Sequence, residues 1–232
     1  MLPHLIVAEC LDRGIGLIAI TDHNSSANCA AVQAAARGST LTVIPGMEVQ
    51  SREDVHALCL FDTLDQVDTW QAVIDQALPD KLNRSDYFGD QLVVDENGDF
   101  INREDRLLIV STCLSIEEIW DKVNSLGGLV IPAHVNRTTN GLIPILGKIP
   151  ESIPFIALEI SRHLHPSTAI KSFPALGSLP LIQGGDAHRL EDILGANVFT
   201  FESPCVAEIQ RTFRGEGNRS VRILSSEFSQ GD

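Results

Sequence analysis

The hydrophobic positions of this chain fall into two patterns that alternate along the sequence. Short continuous apolar runs predict buried strands, whereas segments with apolar residues at every third or fourth position predict helices. Because predicted helices lie between most of the predicted strands, we expect a largely parallel sheet with right-handed crossovers. The strands are predicted at 17–21, 41–44, 55–61, 129–133, 155–160, 181–184, 198–201 and 221–224.

Local sequence signals predict where several of the helices begin. The helices are predicted at 5–11, 27–36, 64–78, 116–126 and 206–213. Ser25 or Ser26 is positioned to act as the N-cap of the second helix. Ser115 and Glu118 have the spacing of a capping box before the fourth helix, where the N-terminal hydroxyl and the later carboxylate satisfy each other's backbone N–H groups.

One polar stretch, at 80–106, interrupts this alternation. It contains the sequence DENGD at 95–99, which predicts the turn of a small hairpin. The stretch is longer than an ordinary connection, so we expect an excursion or lid over the strand ends. The chain is otherwise expected to be a single domain covering 1–232, with a flexible tail at 225–232.

Composition and charge restrict the class of protein. A chain of 232 residues with 44% hydrophobic content is long enough for one substantial core. The formal net charge of -14 argues against a broad nucleic-acid-binding face, which needs clustered Lys and Arg. The five cysteines are scattered and show no CxxC spacing, which favours reduced thiols and a cytoplasmic location. No apolar stretch approaches the ~20 residues that span a bilayer, so no membrane partner is expected.

Candidate metal ligands follow four of the short apolar runs. Carboxylate and imidazole groups together suit Zn, Mn or Fe, and the carboxyl ends of strands in α/β folds gather reacting groups at one edge. The pattern therefore predicts a metallohydrolase site. The residues are Asp22 and His23, Glu48, the nearby His56, His134, and Asp186 with His188.

The motifs around these residues resemble, in order, those of PHP-domain (polymerase and histidinol phosphatase) proteins, especially the stand-alone metal-dependent phosphoesterases. The resemblance covers nearly the whole chain. It implies a distorted (β/α)7 TIM-like barrel with two or three divalent metal ions, Mn, Zn or Fe, at the strand ends. The motifs are TDHNSSANC at 21–29, PGMEV at 45–49, EDVHALCLF at 53–61, IPAHVNR at 131–137, ALEIS at 157–161 and GGDAH at 184–188.

The resemblance also implies roles for individual residues. Asp22 matches a metal ligand or a partner of one and is a catalytic candidate. Arg137 lies where related phosphoesterases place an arginine for the substrate phosphate, a role that suits its bidentate geometry. His163 follows another predicted strand and is a candidate for substrate contact. The implied metal ligands are His23, the bridging carboxylate Glu48, His56, His134, Asp186 and His188.

The chain departs from the family pattern at its beginning. The family's first strand ends in a His-x-His pair, and this sequence begins at the helix that follows it. We therefore expect a barrel that lacks its first strand, through a truncated gene, a start assigned to an internal methionine, or loss of the complete site from the protein.

The function implied is hydrolysis of a phosphomonoester or small nucleotide phosphate by metal-activated water. The expected partner is a small phosphorylated substrate, with no stable nucleic-acid partner. Two alternatives stay open at this point. One is a catalytically impaired PHP fragment that binds metal or ligand without turnover, and the other is an amidohydrolase-like deacylase.

Overall fold

The computed structural model describes residues 1–224 as a mixed α/β fold. The predicted flexible tail at 225–232 lies outside the described residues. Two 3₁₀ turns occur at Pro174–Leu176 and Leu190–Asp192. The helices are α1 Pro3–Asp12, α2 Cys29–Ala35, α3 Leu64–Ala77, α4 Ser85–Phe88, α5 Ile116–Ser125, α6 Leu142–Leu146, α7 Pro166–Ser172 and α8 Val206–Phe213. The strands are β1 Leu17–Ile20, β2 Thr42–Gln50, β3 His56–Leu60, β4 Leu92–Val94, β5 Phe100–Arg103, β6 Leu129–Pro132, β7 Leu158–Ser161, β8 Leu181–Gly184, β9 Asn197–Thr200 and β10 Ser220–Ile223.

The strands form four separate sheets. The largest has the order β1-β2-β3-β6, in which β1 and β2 are parallel while β3 is antiparallel to both of its neighbours. A parallel pair β7-β8 and two antiparallel pairs, β4-β5 and β9-β10, complete the set. The prediction of a largely parallel sheet is therefore wrong. The connection at 51–55 is too short for a crossover, so β3 must return antiparallel to β2.

The hydrogen-bonded strands of residues 1–224 do not close into a barrel. Within this part of the chain β1 pairs only with β2, and β8 pairs only with β7. Each of these two strands thus presents one free edge, and a large cavity lies between them. The structure agrees with an α/β fold of the predicted class, without the continuous ring of strands that the word barrel implies.

The main core lies where α3 and α5 pack on the central sheet. Trp70 and Ile74 of α3, Ile119 of α5, and Met47 of β2 are each fully buried. Both helices begin with a capping box, as the sequence predicts for α5 at Ser115. These caps and the apolar faces fix the two helices against the strands that carry the candidate site.

The start of α2 differs from the prediction. Its N-cap position is Asn28, which makes no side-chain capping bond, and the helix starts at Cys29. Ser26 is used elsewhere, because its backbone N–H and its hydroxyl both donate to the Oε1 atom of Gln71 in α3. A distant helix therefore takes the groups that local sequence assigned to the cap.

The stretch at 80–106 contains α4 and the hairpin β4-β5, with the predicted turn closed by Asp95. The hairpin is attached to the rest of the fold through Asn28. The Asn28 Nδ2 atom donates to the Leu92 carbonyl at 3.1 Å, and Val94 N donates to Asn28 Oδ1 at 3.1 Å. The hairpin thus lies beside the large cavity, while its role as a lid stays a prediction.

No helix within residues 1–224 combines the length and the apolar character needed to cross a membrane.

Candidate metal centre

Three of the predicted ligands converge on one point of the central sheet. Glu48 lies between two histidines, with His23 Nδ1 3.3 Å from its Oε2 atom and His56 Nδ1 3.1 Å from its Oε1 atom. His23 follows β1 and pairs with Glu48 in an isolated parallel bridge that extends the β1-β2 register. The three residues each offer a ligand atom within 4.8 Å of the others. This spacing suits a cation held by two imidazoles and a carboxylate.

Glu48 reaches this point from inside a strand. The sequence predicted a strand that ends at 44, before Pro45 and Gly46, but β2 continues through both residues to Gln50. Gly46 is required there, since a Cβ atom would lie 2.9 Å from the Cys59 carbonyl oxygen. The continuous strand buries Glu48 to 6% exposure and fixes its carboxylate between neighbouring strands.

His134 adds a third imidazole to the same carboxylate. Its Nε2 atom is 3.3 Å from Glu48 Oε1, and the residue is 1% exposed. Within residues 1–224, Nδ1 of His134 has no hydrogen-bond partner, and the contact of Nε2 with Glu48 does not have the geometry of a hydrogen bond. Buried polar atoms are nearly always paired, so unpaired imidazole nitrogens beside a carboxylate indicate room for an additional partner. The donor set and the unpaired nitrogens fit a divalent cation.

The electrostatics of the cluster agree with this donor set. Burial alone would raise the pKa of Glu48, but contacts with His134 and His56 outweigh it and hold that pKa well below its usual range. Burial lowers the pKa of His23 despite the neighbouring Glu48 carboxylate. Glu48 is therefore anionic and His23 neutral at neutral pH, the protonation states that bind metals. His134 differs, because burial lowers its pKa but the contact with Glu48 outweighs burial and raises that pKa.

Asp186 and His188 lie at the rim of the cluster, on the loop after β8. The His188 ring centroid is 5.9 Å from that of His23, and the side chain is 65% exposed. The Asp186 Oδ2 atom is 2.5 Å from Arg137 Nη1. The structure thus brings His188 beside the cluster, and it pairs the predicted ligand Asp186 with the predicted phosphate-binding Arg137.

A cavity of about 1190 Å³ opens over the cluster between the free edges of β1 and β8. His23, Glu48, His134 and Asp186 line it. Asp22 also lines this cavity and accepts a hydrogen bond from Asn28 Nδ2 at 3.3 Å. The candidate centre is therefore accessible to a substrate much larger than water.

A second, smaller cavity of about 380 Å³ adjoins the first on the β7 side. Arg137 and His163 line it together with His134 and Asp186. The roles predicted for Asp22, Arg137, His163 and the six metal-binding candidates stay predictions. All of these residues except His56 line one of the two adjoining cavities, and His56 contacts Glu48 behind the cavity lining.

Glu159 belongs to this region and was not among the predicted site residues. It lies in β7, is 7% exposed, and lines both cavities. Burial raises the pKa of its carboxyl group to about 7. The available signal was an acidic residue inside the apolar run ALEIS, since a carboxylate is seldom buried without a specific partner.

Comparison with solved structures places this fold among known proteins. A lesion-specific endonuclease from Pyrococcus furiosus matches with a TM-score of 0.67 and 19% identity, over 95% of this chain and 53% of that protein. Endonuclease Q in complex with a 27-mer duplex carrying an abasic lesion at the active site matches with a TM-score of 0.65 and 18% identity, over 93% and 52%. A protein assigned as a metal-dependent phosphoesterase from Bifidobacterium adolescentis matches with a TM-score of 0.53 and 17% identity, over 81% and 82%.

The chain has a PHP-type fold. At these identities the likeness concerns the fold alone. No family model and no curated protein matches the sequence. The chain spans about half the length of the two solved endonucleases.

The solved structures that share this fold correct one expectation. A small phosphorylated substrate without a stable nucleic-acid partner was expected, but two of the solved structures are of a lesion-specific endonuclease, one of them with duplex DNA. The expectation relied on the net charge of the whole chain. The net charge of the whole chain does not describe the local field of a cavity, which a bound cation can dominate.

Proposed function

We propose that this chain is a metal-dependent phosphoesterase that hydrolyses phosphodiester bonds in nucleic acid. The observation that carries the proposal is the convergence of three imidazoles on the buried carboxylate of Glu48 at the floor of a large cavity. The solved endonucleases with the same fold support nucleic acid as the substrate.

The cation ligands proposed at the floor are His23, Glu48 and His56, with His134 on one side and His188 on the other. Two or three cations, of Mn, Zn or Fe, suit this mixture of nitrogen and oxygen donors. A bound cation supplies Lewis acidity, which lowers the pKa of water and neutralises charge on the phosphoryl group.

The side chains around the floor orient the substrate. The guanidinium of Arg137 is paired with Asp186 and also lines the smaller cavity. From this position it donates hydrogen bonds to a phosphoryl oxygen once a phosphate enters. Asp22, held by Asn28, presents a carboxylate to the large cavity that accepts hydrogen bonds from water. His163 contacts the part of the substrate that extends into the smaller cavity.

The proposal extends to the arrangement of the strands around the cavity. We infer that the central sheet and the β7-β8 pair are two arcs of one distorted (β/α)7 barrel, interrupted between β1 and β8. Residues 1–232 then form one domain, with 80–106 beside the opening of the cavity. The cytoplasmic location stays a prediction.

The test is hydrolysis of end-labelled DNA by the purified chain. A duplex with one abasic site and an otherwise identical undamaged duplex are incubated with Mn²⁺, Zn²⁺ or Fe²⁺, and with EDTA. Cation-dependent cleavage that His56→Asn abolishes supports the proposal. The control is His4→Asn, because His4 is exposed on α1 and lies outside both cavities.

Other outcomes contradict the proposal in distinct ways. Cation binding without cleavage of any duplex indicates an impaired PHP fragment. Hydrolysis of carboxylic esters or amides without cleavage of the diester bis-p-nitrophenyl phosphate indicates a deacylase. Cleavage that persists in EDTA, or in His56→Asn, rules out the proposed centre.

A further inference from the structure

Glu159 is a buried carboxylate that the proposed reaction does not use. It lies at the centre of β7 with 7% exposure. Within residues 1–224, no side-chain nitrogen of Lys, Arg or His lies within 4.0 Å of its carboxylate. A buried acid without a cationic partner is costly, so its retention at this position calls for a specific contact.

That contact is with the backbone of His134. His134 N donates to the Glu159 Oε1 atom at 3.0 Å. The next residue is tied to the same strand, because Val135 N donates to the Glu159 carbonyl at 2.8 Å. Asn136 continues the connection, accepting from Ser161 N at 2.8 Å through its Oδ1 atom. The segment after β6 is thus fastened to β7 at three successive residues.

His134 needs such fastening because its backbone is in the left-handed region. Its φ is +30°, a conformation that non-glycine residues adopt rarely and that persists only where surrounding contacts hold it. This backbone directs the imidazole toward Glu48, with Nε2 3.3 Å from Oε1. The hydrogen bond from His134 N to Glu159 is therefore coupled to the direction of a candidate metal ligand.

Gly184 of β8 makes room for the Glu159 side chain. A Cβ atom at position 184 would lie 2.1 Å from Glu159 Oε2, and the three nearest atoms all belong to the Glu159 carboxylate. The φ of Gly184 is not positive, so an alanine there is opposed by this contact and not by its backbone conformation. Position 184 thus provides a second, independent way to displace the carboxylate.

We infer that Glu159 is a positioning residue that holds the His134 backbone so that its imidazole faces the cation site beside Glu48. The inference rests on the proposed function in one respect, the presence of that cation. Glu159 acts through His134 and is not itself a ligand. Partners that orient metal ligands in this way typically affect metal affinity by about 10- to 100-fold.

The test measures Mn²⁺ affinity by calorimetry in Glu159→Ala, Glu159→Gln, Gly184→Ala and the double variant Glu159→Ala/Gly184→Ala. We expect Glu159→Ala and Gly184→Ala each to weaken Mn²⁺ binding about tenfold or more. Glu159→Gln keeps an oxygen for His134 N and should stay within about threefold of wild type. The double variant should bind no more weakly than Glu159→Ala, because the alanine at 184 then has nothing to displace. Glu208→Gln controls for loss of a buried carboxylate elsewhere.

A second measurement does not depend on metal. NMR measures the chemical shift of the His134 amide proton in the metal-free protein. This resonance should move upfield in Glu159→Ala and hardly change in Glu159→Gln. Equal loss of affinity in Glu159→Gln and Glu159→Ala overturns positioning and makes Glu159 a direct ligand. Unchanged affinity in Glu159→Ala makes it structural only. If the wild-type chain binds no Mn²⁺, Zn²⁺ or Fe²⁺ at all, the proposed function fails instead, and the inference with it.

Discussion

At the scale of single residues, Glu48 is the point on which the candidate centre depends. Its two carboxylate oxygens are within 3.3 Å of nitrogens of three histidines that come from three different parts of the chain. Among residues 1–224, Glu48 is the one carboxylate within 4.0 Å of these imidazole nitrogens. Without the carboxylate the three rings would offer no negative charge to a cation.

We therefore expect Glu48→Gln to reduce the stabilisation that a divalent cation gives to the native state. A ligand that binds only the native state raises the melting temperature in proportion to the logarithm of its concentration over its Kd. Saturating Mn²⁺ should raise the melting temperature of the wild-type chain, and the rise should be largely lost in Glu48→Gln. Glu96→Gln, an exposed carboxylate in the hairpin turn, is the matched control. An equal rise in Glu48→Gln and wild type would rule out Glu48 as a ligand.

The sequence identified the residues of the cluster because ligand chemistry is a property of residue type and order. His23, Glu48, His56 and His134 meet as the motif order implied. Two features of the site could not be predicted from the sequence. The burial of Glu159 against Gly184 depends on two strands far apart in sequence, and the Arg137–Asp186 ion pair depends on how the loops after β6 and β8 approach each other.

At the scale of elements, local signals located the helices better than the sheets. The helix predicted at 206–213 is α8 with the same bounds, and the capping box of α5 is present. The strand β2 was underestimated because Pro45 and Gly46 are typical of turns. The close approach of Gly46 to β3 allows the strand to continue through both residues, and this tertiary contact is not encoded in any local sequence pattern. The direction of β3 was mispredicted for the same reason, because the connection at 51–55 is too short for a crossover only once β2 extends to Gln50.

One ion-pair network joins α8 to Arg219, the residue immediately before β10, and it leads to a prediction about pH dependence. Glu208 of α8 accepts from Arg219 at 2.7 and 2.9 Å and from Arg211 at 3.0 Å. Hydrogen bonds from Arg219 lower the pKa of Glu208 from its ordinary value of 4.5 to about 2. As pH falls, Glu208 is therefore protonated at a higher pH in the unfolded chain than in the folded chain. The stability that Glu208 contributes is present above pH 4.5 and is lost between 4.5 and about 2.

We accordingly expect Glu208→Gln to destabilise the protein at pH 6 and to match wild type more closely at pH 3. Urea unfolding at the two pH values measures the difference in the free energy of unfolding. Glu216→Gln removes an exposed partner of the same Arg211 and should change that free energy little at either pH. A difference between Glu208→Gln and wild type that grows toward pH 3 would contradict the assigned network.

At the scale of the whole molecule, charge and cavity must be considered together. The chain carries a formal net charge of -14, yet its fold is shared with endonucleases. The arginines near the smaller cavity are already paired, Arg137 with Asp186 and Arg162 with Asp192. Under the proposed function, a DNA strand would meet few free cationic side chains at this cavity, and bound divalent cations would have to supply much of the attraction.

This arrangement predicts an unusual salt dependence for DNA binding. Each phosphate neutralised by Lys or Arg adds about -0.9 to the slope of log K against log salt concentration. For a duplex with an abasic site, we expect a slope no steeper than about -3 in Mn²⁺, and no measurable binding in EDTA. Fluorescence anisotropy in the cold, with intact DNA verified on a gel, measures both. Arg137→Gln should make the slope shallower by about one if Arg137 contacts a phosphate. A slope near -6 that persists in EDTA would instead show that a basic protein surface, and not the cation centre, holds the DNA.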